Sequence, residues 1–253
     1  MSQEVRYVYA DAETLARAAA DEMLRLAQRG VEQYGLFTLA LAGGSTPKKL
    51  YGLLAHDAAY REFPWDKTFI FFSDERHVPP NDNESNYLMA LNSLFSTGLV
   101  PEKNIHRIRA EMPDAKQAAA DYEVELHSFF HESLRLEGVP RFDLILLGMG
   151  PDGHTASLFP GSPGLEEKER WVIANPVEKF KTDRITFTYP VLNAARAVHL
   201  LVAGADKADM IYEVLVQHRK DLTYPVQRVQ PTNGTKVWML DRAAAARLPQ
   251  ISG

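Results

Sequence analysis

The segment Phe142-Asp143-Leu144-Ile145-Leu146-Leu147-Gly148-Met149-Gly150-Pro151-Asp152-Gly153-His154-Thr155 reads as a short apolar strand running directly into a glycine-rich polar loop. Its apolar run scarcely alternates with polar residues, which is the pattern of a strand covered on both faces. The same pattern recurs at Phe37–Ala42, Thr68–Phe72, Ala197–Ala203 and Lys236–Leu240. Helical periodicity lies between. Ala12 to Gln33 repeats apolar residues at Leu15, Ala19, Met23 and Leu26, with Asp11 placed as its cap. Asp114 to Leu136 and Asp206 to His218 read similarly. Strand–helix alternation predicts an α/β fold: a mainly parallel central sheet with helices on both faces, Rossmann-like, formed by residues 1–253 as a single domain.

The bulk properties restrict the function classes. With 253 residues the chain can bury a sizeable core without staples, and 45% hydrophobic with 24% charged residues is an ordinary globular composition. A net charge of −5 argues against nucleic acid as a partner. The absence of cysteine removes disulfides, thiolate nucleophiles and Cys-ligated zinc. Met1-Ser2-Gln3-Glu4-Val5-Arg6 lacks a signal-peptide pattern, and no apolar stretch approaches the roughly 20 residues of a membrane span. The expectation is a cytoplasmic protein with no membrane association and no obligate protein partner evident.

Parallel sheets gather ligands at the carboxyl ends of their strands, so the residues that follow each strand matter most. They are Gly43-Gly44-Ser45-Thr46-Pro47, Ser73-Asp74-Glu75-Arg76, the loop Gly148–Thr155, and Gly204-Ala205-Asp206-Lys207. In the first, Pro47 suits the opening helical position, Thr46 then falls at the cap, and the glycines allow a tight turn. Free N–H groups and two hydroxyls there suit an anion, although a plain strand-to-helix turn would use the same residues. Arg76 and Lys207 are natural partners for such an anion, and each alone is equally an ordinary surface ion pair. Their common placement beyond strand ends points to a phosphorylated small molecule.

His154 is the candidate acid–base group. Turn glycines around Pro151 and Asp152 keep its imidazole out of the core, and imidazole exchanges protons near neutral pH. Asp152, two residues earlier, can accept from the other ring nitrogen and fix the tautomer. His127 and His131 have i, i+4 spacing but lack the His-Glu-x-x-His pattern and a third ligand, so they read as a solvated helix face. There is no Gly-x-Ser-x-Gly elbow and no dinucleotide fingerprint.

Taken in order, three segments carry a family resemblance: Leu41–Pro47, Ser73–Pro79 with Ser85-Asn86-Tyr87, and Leu147–Gly161. Weaker matches follow at Arg184–Thr188, Gly204–Lys207 and from Pro225 through Asp241. Together they resemble the lactonase branch of the glucosamine-6-phosphate isomerase/6-phosphogluconolactonase family over nearly the whole chain. The resemblance implies hydrolysis of 6-phospho-D-glucono-1,5-lactone in the oxidative pentose phosphate pathway, with no metal and no organic cofactor. It implies His154 as the base, and the phosphate near Gly43, Gly44, Ser45, Thr46, Arg76 and Lys207, with Arg184 as a further substrate-side arginine. Arg76 or loop N–H groups are expected to stabilise the oxyanion that develops at C1, and Asp74 either orders the site or touches substrate hydroxyls.

The same family contains aminosugar-phosphate isomerases, which usually carry a tyrosine where Arg76 stands and a glutamate five residues after the histidine. Here that position is Phe159, which favours the lactonase chemistry. The alternatives are glucosamine-6-phosphate isomerase/deaminase activity and a non-catalytic sugar-phosphate sensor. Sensors of this kind usually carry a DNA-binding unit, and none is expected within these 253 residues.

Overall fold

A computed structural model describes residues 3–134, 137–218 and 222–249. The order is β1 (Gln3–Tyr9), α1 (Ala12–Tyr34), β2 (Phe37–Leu41), α2 (Ser45–His56), β3 (Thr68–Phe72), β4 (Asp74–Arg76), α3 (Asn86–Ser93), α4 (Ala115–His127) and β5 (Leu144–Leu147). There follow β6 (Val172–Val177), β7 (Thr182–Phe187), α5 (Tyr189–Ala194), β8 (Ala197–Val202), α6 (Ala208–Tyr212) and β9 (Thr235–Asp241).

Six strands form one sheet in the order β1-β9-β8-β5-β2-β3, and every pairing in it is parallel. Strands β2, β5 and β8 are buried at every position, as their largely apolar sequences, interrupted only by Thr38 and His199, require of central strands. Edge strand β1 is half polar and largely exposed. Asp11 caps α1 as expected, accepting from Thr14 N at 2.8 Å, and Leu15, Ala19 and Met23 face the core.

A second, antiparallel sheet of order β4-β7-β6 has no counterpart in the sequence expectations. Asp74-Glu75-Arg76 is thus a short strand rather than a loop. It is fastened to the main sheet by Ser73, whose N–H donates to Leu41 O at 2.9 Å while its carbonyl accepts from Phe187 N at 2.8 Å. Helix α4 packs on β6 and β7. It ends at His127 and continues as a π-helical turn over Ser128–Ser133; the expected terminus at Leu136 lies outside the described residues. His127 is not simply solvated, since its ring stacks on Trp171 with centroids 3.6 Å apart.

Two buried tyrosines hold the strand ends. Tyr51 of α2 bonds both Ala42 N (3.1 Å) and Ala42 O (2.9 Å) through its hydroxyl. Tyr122 of α4 accepts from Phe72 N at 2.9 Å. Buried backbone groups just short of the carboxyl edge are thereby satisfied, and the loops beyond them start from fixed points.

Candidate active site

From β2 the chain passes to β3 on one side and later places β5 on the other, so the sheet's switch point lies between β2 and β5. Ligands of open α/β sheets bind in the crevice beyond such a point. The loops Gly43–Thr46 and Gly148–Thr155 adjoin there, flanked by Ser73–Arg76 beyond β3 and Gly204–Lys207 beyond β8.

The histidine loop is closed by two backbone bonds, Gly153 N to Gly150 O (3.1 Å) and Gly150 N to His154 O (2.9 Å). Pro151 sits where a turn wants a fixed φ, and Gly153 takes φ 76°, a left-handed value that costs glycine little. Across the turn, His154 Nδ1 lies 2.5 Å from Asp152 Oδ1. Burial alone would raise the Asp152 carboxyl, but the hydrogen bond and charge of His154 outweigh it and hold it at about 2. An ionised Asp152 accepts the Nδ1 proton, so the neutral ring carries its lone pair on Nε2.

The close approach explains Gly150. A Cβ there would stand 2.0 Å from His154 Cε1 and 2.1 Å from Nδ1. Gly153 is backed by Tyr224, whose Cβ would lie 2.8 Å from an added methyl, and its carbonyl accepts from Val226 N at 3.0 Å. On its open side the imidazole stacks against Phe159, centroids 4.1 Å apart and planes at 27°.

Asp74 is buried and accepts from Ser157 Oγ at 2.6 Å. Its backbone carbonyl accepts from Asn86 Nδ2 at 2.9 Å, and Asn86 Oδ1 lies 1.9 Å from where a Gly43 Cβ would be. Of the two roles open for Asp74, these contacts favour ordering: it joins Ser157, just beyond the histidine loop, to Asn86 of α3, whose side chain lies against Gly43. Ala156, at φ 45°, turns the chain so that Ser157 faces it. Neighbouring Glu75 is buried and accepts from Arg76 N, Ser85 Oγ, Asn86 N and Tyr87 N. Burial pushes its carboxyl up against these four bonds.

The glycine loop departs from expectation in one detail. Helix α2 begins at Ser45 and its cap is Gly44 at φ 106°, so Thr46 lies inside the first turn and is not the cap. The positive φ admits the chain to the helix two residues early. Pro47 is still tolerated, because N–H groups of a first turn have no intrahelical partner.

Arg76 and Arg184 are register partners on the antiparallel strands β4 and β7. Arg184 is buried, and its Nε has no hydrogen-bond partner among the described residues. Burial, then the charge of Arg76, lowers its pKa against the pull of Asp74. Arg76 also donates to the Glu84 carbonyl, and two guanidinium groups on one face fit an anion carrying several acceptor oxygens. Lys207 stands beyond the next strand with Asp206 as its partner, 2.9 Å away, rather than any of these groups. Among the described residues no cluster of three or more His, Asp or Glu could hold a metal ion. None of the helices described is long and apolar enough to cross a membrane.

The family described as glucosamine-6-phosphate isomerases/6-phosphogluconolactonase matches residues 10–238. The chain belongs to this family. A 6-phosphogluconolactonase of a Nostoc species is 39% identical over 241 residues, covering 95% of this chain and 97% of that protein. One from a Synechocystis species is 40% identical, covering 87% and 88%. The solved 6-phosphogluconolactonase of Trypanosoma brucei superposes with a TM-score of 0.83 at 29% identity, covering 98% of this chain and 100% of that one.

Within this family member, sequence reasoning missed Ser157, Asn86, Tyr224 and Phe180 as parts of the site. Ser157 and Asn86 lie inside segments that carry the resemblance, but nothing in their spacing pairs them with Asp74. Phe180 belongs to a hairpin whose existence was not foreseen.

Proposed function

We propose that the chain hydrolyses 6-phospho-D-glucono-1,5-lactone to 6-phospho-D-gluconate, in the cytoplasm and as a single domain, with His154 as general base. The carrying observation is that the imidazole has Asp152 at Nδ1 and the face of Phe159 beside it. Its Nε2 can take a proton, and among the described residues no second carboxylate is recorded in contact with its ring. That equipment suits activation of water better than the proton shuttling of an aminosugar isomerase.

A lactone carbonyl is electrophilic enough to dispense with a covalent nucleophile. His154 removes a proton from water as its oxygen attacks C1. The C1–ring oxygen bond then breaks, and the imidazolium returns the proton to the departing ring oxygen. The phosphate rests against Arg76 and Arg184, with Gly43, Gly44, Ser45, Thr46 and Lys207 completing the anionic end. Remote binding energy is thus used to orient C1. Asp74 keeps the loops in register.

The test is lactone hydrolysis measured above its spontaneous rate, with and without the 6-phosphate. His154→Ala should reduce kcat by roughly 10²–10⁴-fold while product binding is retained. Near-normal turnover in that variant would exclude His154 as the base, and ammonia release from glucosamine 6-phosphate would favour the isomerase reading.

A further inference from the structure

The aromatic contacts around His154 form a chain with two ends. Phe159 stacks on the imidazole at 4.1 Å. Phe180, at the tip of the β6–β7 hairpin, meets Phe159 edge-on with centroids 5.9 Å apart and planes at 75°. The guanidinium carbon of Arg184 lies 5.0 Å from the Phe180 centroid. Two segments, the one that follows the histidine loop and the β6–β7 hairpin, therefore connect the imidazole to Arg184.

Phe159 is only 8% exposed, yet it does not belong to the contiguous hydrophobic core. Its aromatic contacts among the described residues are His154 and Phe180.

One hydrogen bond does not fix an imidazole. The Asp152 contact holds Nδ1 but leaves the ring free to pivot about that point, carrying Nε2 with it. A flat contact over the ring face removes this remaining freedom, and it does so without adding a group that competes for either nitrogen. The electron-rich face of a phenyl ring also tolerates the positive charge that the imidazole acquires on taking a proton. A branched aliphatic side chain would fill the volume but present no flat face.

Resting on the reading of His154 as base, we infer that Phe159 is a positioning residue for this reaction: it clamps the His154 ring against Asp152, and Phe180 braces the clamp from the Arg184 end. Substrate phosphate held at the arginines and the base that activates the water attacking C1 then share one connection.

The experiment compares Phe159→Leu, Phe159→Tyr, Phe180→Ala and His154→Ala in the same lactone assay, with melting temperatures recorded. Phe159→Leu should lower kcat about 10–100-fold, as a misplaced catalytic group does, with KM for the phosphorylated lactone changed less than about threefold. Phe159→Tyr restores the flat face and should recover kcat to within about threefold of the parent. A Leu variant with parental kcat, or a folded Tyr variant as slow as Leu, overturns the inference. Should Phe159→Leu not fold, Phe180→Ala decides. Phe180 is 47% exposed at a hairpin tip, so the variant should fold and lose about 3–10-fold in kcat, the worth of one aromatic contact; an unchanged kcat overturns the inference. Full turnover in His154→Ala would instead remove the underlying reading of the base.

Discussion

Arg76 and Arg184 face one another across the β4–β7 ladder, so two positive side chains share one face of a two-strand contact. Directly opposed like charges destabilise a sheet, and here one of them is also buried with its Nε unpaired. Such an arrangement costs stability in the free protein, and under the proposed phosphate assignment an anion between the charges would recover it.

Arg184→Ala should therefore separate binding from folding. Charge-assisted hydrogen bonds are worth about 1.5–3 kcal/mol, so KM for the phosphorylated lactone should rise roughly 10–100-fold. Hydrolysis of unphosphorylated gluconolactone should change little, and the free variant should melt no lower than the parent. Thermal shifts with inorganic phosphate provide the second readout. They should be present in the parent and largely lost in the variant. Equal losses on both lactones would remove the phosphate assignment.

Gly150→Ala tests the histidine loop. The added methyl would stand 2.0 Å from His154 Cε1, and the atom it displaces is the movable end of a side chain rather than backbone. The imidazole should swing away while the fold persists. Turnover should fall at least 10²-fold, as a shift of about 1 Å in a catalytic group can do, with melting temperature and product affinity near the parent. Parental turnover would show that the ring can reach its working position by another route.

The main sheet was legible because β2, β3, β5, β8 and β9 are apolar runs whose burial demands nothing but hydrophobicity. β1 was not, since Gln3–Tyr9 is an exposed edge with no such run. Nor was the second sheet. Asp74-Glu75-Arg76 is as polar as any loop, and its strand character comes from β7, a partner more than a hundred residues later. The site divides in the same way. His154 with Asp152 is local chemistry within one turn and could be read directly. The Ser157–Asp74 bond spans 83 residues, and the Phe159–Phe180 contact depends on the unforeseen hairpin.

Asp152→Asn should disable the base by reversing its tautomer. An amide N–H can turn toward Nδ1, leaving the ring proton on Nε2, where water must be attacked. A kcat loss on the order of 10² is expected, with KM little changed. The carboxyl also has a pH signature. Its folded pKa is depressed from 3.8 to about 2. Its contribution to stability is thus complete above about pH 4 and is lost as pH falls through about 2. Urea unfolding of the parent minus that of Asp152→Asn should show a difference that shrinks across this window. The effect is small, because the side chain is 33% exposed and its ion pair is screened. A difference independent of pH would mean that Asp152 is not the ionised partner of His154.

Lys236 offers a prediction remote from the chemistry. It lies at the amino end of β9, 4% exposed. Among the described residues its ammonium meets Val226 O at 3.1 Å, the Glu4 carboxylate at 3.9 Å and the Trp238 ring centroid at 5.0 Å. Burial lowers its pKa to about 8; Glu4 resists the change and Arg6 adds to it. The unfolded chain keeps the lysine near the usual value of about 10.4. Below about pH 8 the charge is carried in both states, and folding bears the full cost of burying it. Between about 8 and 10.4 the unfolded chain binds more protons, so this residue makes stability rise with pH. Lys236→Met keeps the volume and removes the charge. It should be at least as stable as the parent at neutral pH, and its advantage should shrink by about 3 kcal/mol between roughly pH 7.5 and 10.5, since the protein gains ~1.4 kcal/mol for each pH step over which only the unfolded lysine stays protonated. Paired denaturation curves measure this directly, because the tyrosines that titrate near there in the unfolded chain are common to both proteins and cancel. A constant gap across the range would mean that Lys236 keeps an ordinary lysine pKa in the folded chain.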